Sequence, residues 1–190
     1  EQVPRRTHER VVGRPIPRHP EIPMHPRFIT PDPTAPGEES VWDYPRPPRL
    51  ERVLARVVVE FGGRIVADTG AAWRVLETSH PPSYYLPQAD VDMSLLEPAG
   101  RGSICEWKGA ARYWSVVAGE QRAERVAWSY PDPTVDFRAI RDHLAFYAGP
   151  MDRCTVDGEV VTPQPGGFYG GWITRRIKGP FKGGPGTMGW

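Results

Sequence analysis

Just over half of the 23 prolines fall in the first 48 residues, and half of the 20 glycines fall beyond residue 157. Proline locks φ and removes a backbone donor, so a segment this rich in it admits neither a helix nor a central strand. Residues 1–48 are therefore expected to run extended, largely as polyproline II. The other end, which reads Pro-Gln-Pro-Gly-Gly-Phe-Tyr-Gly-Gly-Trp from Pro163, is equally unsuited to long regular elements. The natural division is an extended arm over 1–49, a domain over 50–161 and a glycine- and aromatic-rich tail over 162–190.

Within the middle stretch the hydrophobic spacing is that of strands. Residues 57–61 and 64–68 flank Gly62-Gly63 and read as a hairpin with a two-residue turn. Residues 72–77 form a further strand, and 78–87 a loop that gathers polar groups and two rings. Residues 113–117 and 122–130 pair around 118–121, and 156–161 make a short hairpin on Asp157-Gly158. Thr134 is expected to cap one short helix, with Phe137, Ile140 and Leu144 on a single face. The predicted class is mainly β: a compact two-sheet β domain with one short helix, a proline-rich N-terminal arm and a glycine-rich C-terminal tail.

Several functions are disfavoured by what the chain lacks. A net charge of +1 supplies no global field for nucleic acid or an anionic membrane. The arginines of the arm are partly offset by Glu1, Glu9 and Glu21 and have no interleaved rings, which makes nucleic acid a disfavoured partner. The tail does interleave Phe168, Tyr169, Trp172, Phe181 and Trp190 with basic residues, but wrapping of the domain or of a partner, pinned by those rings, is the preferred reading. No run approaches the roughly 18 apolar residues of a membrane span, and no hydrophobic signal segment is read. Two cysteines, Cys105 and Cys154, make no disulfide framework, so a soluble cytoplasmic protein with free thiols is expected. Cys-x-x-Cys, His-Glu-x-x-His and Gly-x-Ser-x-Gly patterns are missing, so no metal and no cofactor is expected. Asp90 and Asp92 read as an exposed acidic face of a strand. In the arm, Ile22, Met24, Phe28 and Ile29 are candidate anchors on a neighbouring subunit, predicting a homodimer, whereas Trp42 and Tyr44 are expected to dock on their own domain.

The strongest chemical signal is Cys105-Glu-Trp-Lys-Gly109. Only Lys108, Lys178 and Lys182 are lysines among the 24 basic residues, and asparagine is absent, as a GC-rich coding bias would give. A lysine kept within the domain under such a bias points to a site that needs a compact ammonium, or an amine whose pKa burial can move. The alternative is a stem covering apolar surface with its head in water.

Glu77-Thr followed by Pro-Pro-Ser-Tyr-Tyr, Cys105-Glu-Trp-Lys-Gly109, Tyr113-Trp114, Ala127-Trp-Ser-Tyr-Pro131 and Ala145-Phe-Tyr147 together resemble the family called domain of unknown function 427, which also carries a nucleotidyltransferase-like label. The resemblance runs densely over about residues 52–160, with Glu106 standing where the family pattern has proline. It implies a β-tent-like domain similar to methionine sulfoxide reductase B and the cereblon ligand-binding domain, without counterparts of their zinc-binding cysteine pairs.

The reading that follows is a small-molecule site between the sheets, with Glu77, Cys105 and Lys108 as candidate catalytic residues and Tyr84, Tyr85, Trp128 and Tyr130 as candidate ligand-binding walls. Glu77 is the candidate general acid or base, Lys108 the electrostatic stabiliser or amine nucleophile, and Cys105 a positioner or nucleophile. A buried Glu77–Lys108 ion pair of purely structural role is the competing reading. Nucleotidyl transfer and a non-catalytic peptide-binding module remain alternatives, and whether the protein is an enzyme is left open.

Overall fold

The structure is a computed structural model that describes residues 29–190. The anchors Ile22, Met24 and Phe28 lie outside the described residues. The described chain is mainly β, arranged as several open sheets.

The hairpins set by local turn chemistry are present. Val57–Phe61 pairs with Arg64–Thr69 across Gly62 and Gly63, both at positive φ, with a bulge at Val59/Glu60. Arg153–Val156 pairs with Glu159–Val160 through Asp157 (φ 48°) and Gly158 (φ 78°), the backbone of a type I′ turn. Joining Arg153–Val156 to Val57–Phe61 makes a four-stranded antiparallel sheet. Val57, Val59 and Phe61 alternate inward from it and carry much of the main core.

Gly109–Ala118 and Gln121–Ser129 form the longest hairpin and the centre of a five-stranded sheet. Ala145–Phe146 lies on one edge, while Leu96–Pro98 and Ser103–Cys105 follow one another along the other. The register of the long hairpin slips between Ala123 and Ala127, where Arg125 takes a positive φ of 54°. A bulge of this kind re-aims the side chains beyond it. Ala127 then faces the main core and Trp128 the opposite side.

A third sheet orders Arg49–Arg52, Trp73–Leu76 and Ser83–Tyr85. The last of these strands falls in the stretch expected to be a loop, because its pairing with Trp73–Leu76 overrides the prolines before it. Leu86 and Leu144 exchange both backbone hydrogen bonds at 2.8 Å, tying this sheet to the five-stranded one. The expected helix is a 3-10 helix, Val135–Ile140, burying Phe137 and Ile140. Leu144 is not on its face but in the bridge to Leu86, and the Thr134 hydroxyl, instead of capping the helix, donates to the Trp107 carbonyl at 2.5 Å. Asp90 and Asp92 sit at 3-10 turns, not on a strand: Asp90 accepts from the Thr69 hydroxyl, and Asp92 caps Ser94.

Arm and tail close on each other. Glu39–Ser40 pairs in parallel with Ile177–Lys178. Val41, Trp42 and Tyr44 pack with Leu76 and Ile177, with Ile29 against them, so the described anchors of the arm dock on their own chain. Trp172 is 0 % exposed within the main core, its indole N–H donating to the Phe146 carbonyl at 2.8 Å. Thr162–Pro163 and Trp172–Ile173 pair, and the loop 164–171 between them overhangs the sheets. Among the described residues no helix is long and apolar enough to cross a membrane.

Candidate functional site

The three-stranded sheet, the Trp128 side of the long hairpin and the overhanging loop 164–171 leave a cleft of about 980 Å³ between them. Val75, Tyr85, Trp128 and Tyr130 line it and belong to an apolar cluster, with Ala111, Phe137, Ile140 and Ala145 behind them, that is separate from the main core. Six of the seven residues singled out from the sequence line this cleft, namely Glu77, Tyr85, Cys105, Lys108, Trp128 and Tyr130. Tyr84 does not. Successive residues of Ser83–Tyr85 point to opposite faces, and Tyr84 stacks on Trp172 in the main core with ring centroids 5.2 Å apart.

Lys108 is delivered by the turn that connects Ser103–Cys105 to Gly109–Ala118, with Cys105 paired opposite Gly109. Gly109 has φ +93°, a conformation that side-chain-bearing residues rarely adopt. The lysine is only 8 % exposed. Its ammonium lies 5.9 Å from the centre of the Tyr130 ring and 5.6 Å from that of Phe137. Cys105, a half-buried free thiol, lies beside Lys108 and Tyr130. Burial works against the lysine's charge. The neighbouring Tyr85, Cys105 and Glu77 outweigh it, so the pKa lies above the ordinary lysine value and the group stays an ammonium. Burial raises the phenols of Tyr85 and Tyr130, which stay neutral. Tyr85 accepts from the Trp128 indole at 3.2 Å, which fixes both rings.

The expected alternative, a Glu77–Lys108 ion pair, is not formed. Glu77 lies 3.5 Å from the guanidinium of Arg46 and 4.0 Å from Nε2 of His80. Among the described residues, no carboxylate stands within ion-pair distance of Lys108.

His80, Gln164 and Lys182 belong to the site and were not singled out from the sequence. Gln164 Oε1 accepts from the Gly171 N–H at 3.0 Å, so its amide nitrogen is free to donate to His80 Nδ1 (3.1 Å) and to the Lys182 carbonyl (2.8 Å). An accepting Nδ1 leaves the ring proton on Nε2, facing Glu77. Burial first, and then the charges of Lys182, Arg46 and Lys108, hold His80 down to about 3, so it is neutral at pH 7. Ser79, which turns the chain between Glu77 and His80, is fully buried at φ 71°, and its hydroxyl has no hydrogen-bond partner among the described residues. Strain of this kind in a non-glycine residue is a mark of a position over-determined by its surroundings. Lys182 faces the Tyr169 ring at 5.5 Å and donates to the Trp190 carbonyl at 2.8 Å. The scarcity of lysine that drew attention to Lys108 extends to Lys182 as well. The third lysine, Lys178, pairs with Glu38 outside the cleft.

A family model described as domain of unknown function (DUF427) matches residues 49–157, a span that includes Glu77, His80, Cys105 and Lys108 but not Gln164 or Lys182. No curated protein matches the chain.

Proposed function

The chain belongs to the DUF427 family, and from that premise, since the family description states no activity, we propose that the cleft binds a small molecule, with Lys108 as the fixed charge that orients it. The observation that carries this reading is the Lys108 ammonium itself: nearly buried, against two rings and a thiol, with no carboxylate within ion-pair distance among the described residues. Buried charges are ordinarily paired, and a site awaiting a ligand is one physical reason for one that is not. Rings on the floor and walls with a few convergent polar groups are what small-molecule pockets are built from. Tyr85, Trp128 and Tyr130 serve as walls.

If the site turns over its ligand, Glu77 is the candidate general acid or base, with Arg46 and His80 beside it. Cys105 is the candidate positioner or nucleophile. The upward shift of Lys108 favours an electrostatic role over an amine nucleophile, which would have to lose its proton. Nucleotidyl transfer is the weaker reading, because it calls for magnesium-holding carboxylates and a phosphate cradle. Among the described residues no group of three or more His, Cys, Asp or Glu side chains is placed to hold a metal ion. A cytoplasmic homodimer is part of the proposal, and light scattering on the eluting full chain tests its second half.

The experiment for the site is a ligand screen by thermal shift on the wild type, Lys108→Arg and Lys108→Met. Hits on the wild type should be lost or weakened in both variants, since guanidinium cannot occupy the ammonium's volume and thioether carries no charge. Equal shifts in all three proteins would remove Lys108 from the site.

A further inference from the structure

We infer that the ligand of this cleft is a planar organic anion, its charged end taken by the Lys108 ammonium and the Trp107 indole N–H and its flat body by the surrounding rings. The inference rests on the cleft being a ligand site, as proposed above, and adds the class of ligand.

The charge comes from pairing off the ionised groups that line the cleft. Glu77 has Arg46, and Glu124 has Arg122 together with the Ser115 hydroxyl at 2.6 Å. Arg125 directs its guanidinium to the carbonyls of Ala99 (3.0 Å) and Arg101 (2.9 Å), and Lys182 is taken by the Trp190 carbonyl. Glu106, the remaining carboxylate of the lining, is exposed to solvent and acts on Lys182. Lys108 remains as the buried charge, its ammonium facing ring faces and a thiol. Ring quadrupoles offset only part of the loss of water around a cation. An anion in the cleft supplies the rest.

A second observation points the same way. The indole nitrogen of Trp107 is buried and has no hydrogen-bond partner among the described residues. Indole N–H is a donor only, so the missing partner is an acceptor. Trp107 and Lys108 are consecutive in the turn closed by the Cys105–Gly109 pair, and both line the cleft. A carboxylate or phosphate group offers several acceptor oxygens and a negative charge together. A neutral ligand answers the indole but not the ammonium, and a cationic ligand meets the buried Lys108 with the same sign.

Flatness follows from the walls. Trp128 and Tyr147 lie 4.8 Å apart at 51°, and Tyr85 stands edge-on to Trp128. Their polar ends are tied, Trp128 to Tyr85 and Tyr147 to the Phe168 carbonyl, so the rings are held in place. Rings packed on one another and fixed at their polar ends present a rigid surface to the cleft, on which a flat body rests with little loss of freedom on either side.

The test uses five probes on the full chain: benzoate and phenyl phosphate as planar anions, cyclohexanecarboxylate as a non-planar anion, benzamide as a planar neutral and benzylammonium as a planar cation. Binding is followed by calorimetry and by the tryptophan indole N–H resonances, with Trp107→Phe identifying the resonance of Trp107. The expected result is that at least one planar anion binds tenfold or more tighter than the other three and moves the Trp107 resonance downfield. Whether benzoate or phenyl phosphate is preferred tells a carboxylate from a phosphate. Lys108→Met should weaken the anion tenfold or more and Trp107→Phe several-fold, with folded spectra in both. Benzamide or benzylammonium binding as tightly as the anions, or anion affinity unchanged in Lys108→Met, would overturn the inference and leave the cleft a ligand site. Cyclohexanecarboxylate equal to benzoate would overturn its planar half. If no probe of any charge moves a cleft resonance at millimolar concentration, the inference and the proposed function fall together.

Discussion

Trp172 gives the most direct test of how the tail is held. The side chain is fully buried, stacks on Tyr84 at 28° between ring planes, and satisfies the Phe146 carbonyl. Truncating a buried tryptophan to alanine costs roughly 3–5 kcal/mol in transfer and cavity terms. Leaving the carbonyl without a partner adds about 1 kcal/mol. A loss of about 4–6 kcal/mol is a large share of the roughly 5–15 kcal/mol that stabilises a folded protein. At about 2–4 °C per kcal/mol for a chain of this size, Trp172→Ala should lower Tm by about 10–20 °C. Trp172→Phe keeps a ring against Tyr84 and strands only the carbonyl, so about 1–3 kcal/mol is expected. Urea unfolding followed by far-UV circular dichroism, on both variants and the wild type, measures these differences. If Trp172→Ala came within about 1 kcal/mol of the wild type, the tail would not be part of the core and the wall formed by loop 164–171 would lose its anchor.

Other predictions follow from the cleft. Because Glu77 is paired with Arg46 and not with Lys108, Lys108→Met strands no carboxylate. Its stability should stay within about 2 kcal/mol of the wild type, whereas the 3–5 kcal/mol typical of a broken buried pair would show that the two are coupled. His80, held down to about 3, binds its proton more weakly folded than unfolded. Its contribution is complete above the unfolded value of 6.5 and is lost as pH falls from there toward 3. Wild-type stability relative to His80→Gln should therefore fall between pH 6 and pH 4 by up to about 1.4 kcal/mol per pH unit, and parallel pH curves for the two proteins would refute this. A Cβ on Gly170 would stand 2.1 Å from the Trp128 ring, so Gly170→Ala must displace a wall of the cleft. It should cost about 1–3 kcal/mol and impair probe binding, while Gly189→Ala, with nothing within 4 Å, should be silent in both assays.

The local elements were legible in the chain because their causes are local. Gly62-Gly63 and Asp157-Gly158 turn the backbone whatever the rest of the fold does, and alternation along 57–61 names the buried face. The chemistry of the cleft was legible through residue type and scarcity, which is how Lys108 stood out. Where side chains point was not. Tyr84 and Tyr85 are adjacent and identical, and only the pairing of Ser83–Tyr85 with Trp73–Leu76 sends one to the core and the other to the cleft. Leu144 has helical spacing from Phe137 and Ile140, but its backbone is claimed by Leu86, 58 positions earlier in the sequence. The partner of Glu77 comes from the arm and the partners of His80 from the tail, 84 positions on in the case of Gln164. Turn geometry and alternation depend on neighbours along the chain, which the sequence states outright. Ion pairing, protonation and the unpaired state of Lys108 depend on neighbours in space, and those exist only once the sheets, arm and tail have closed on one another.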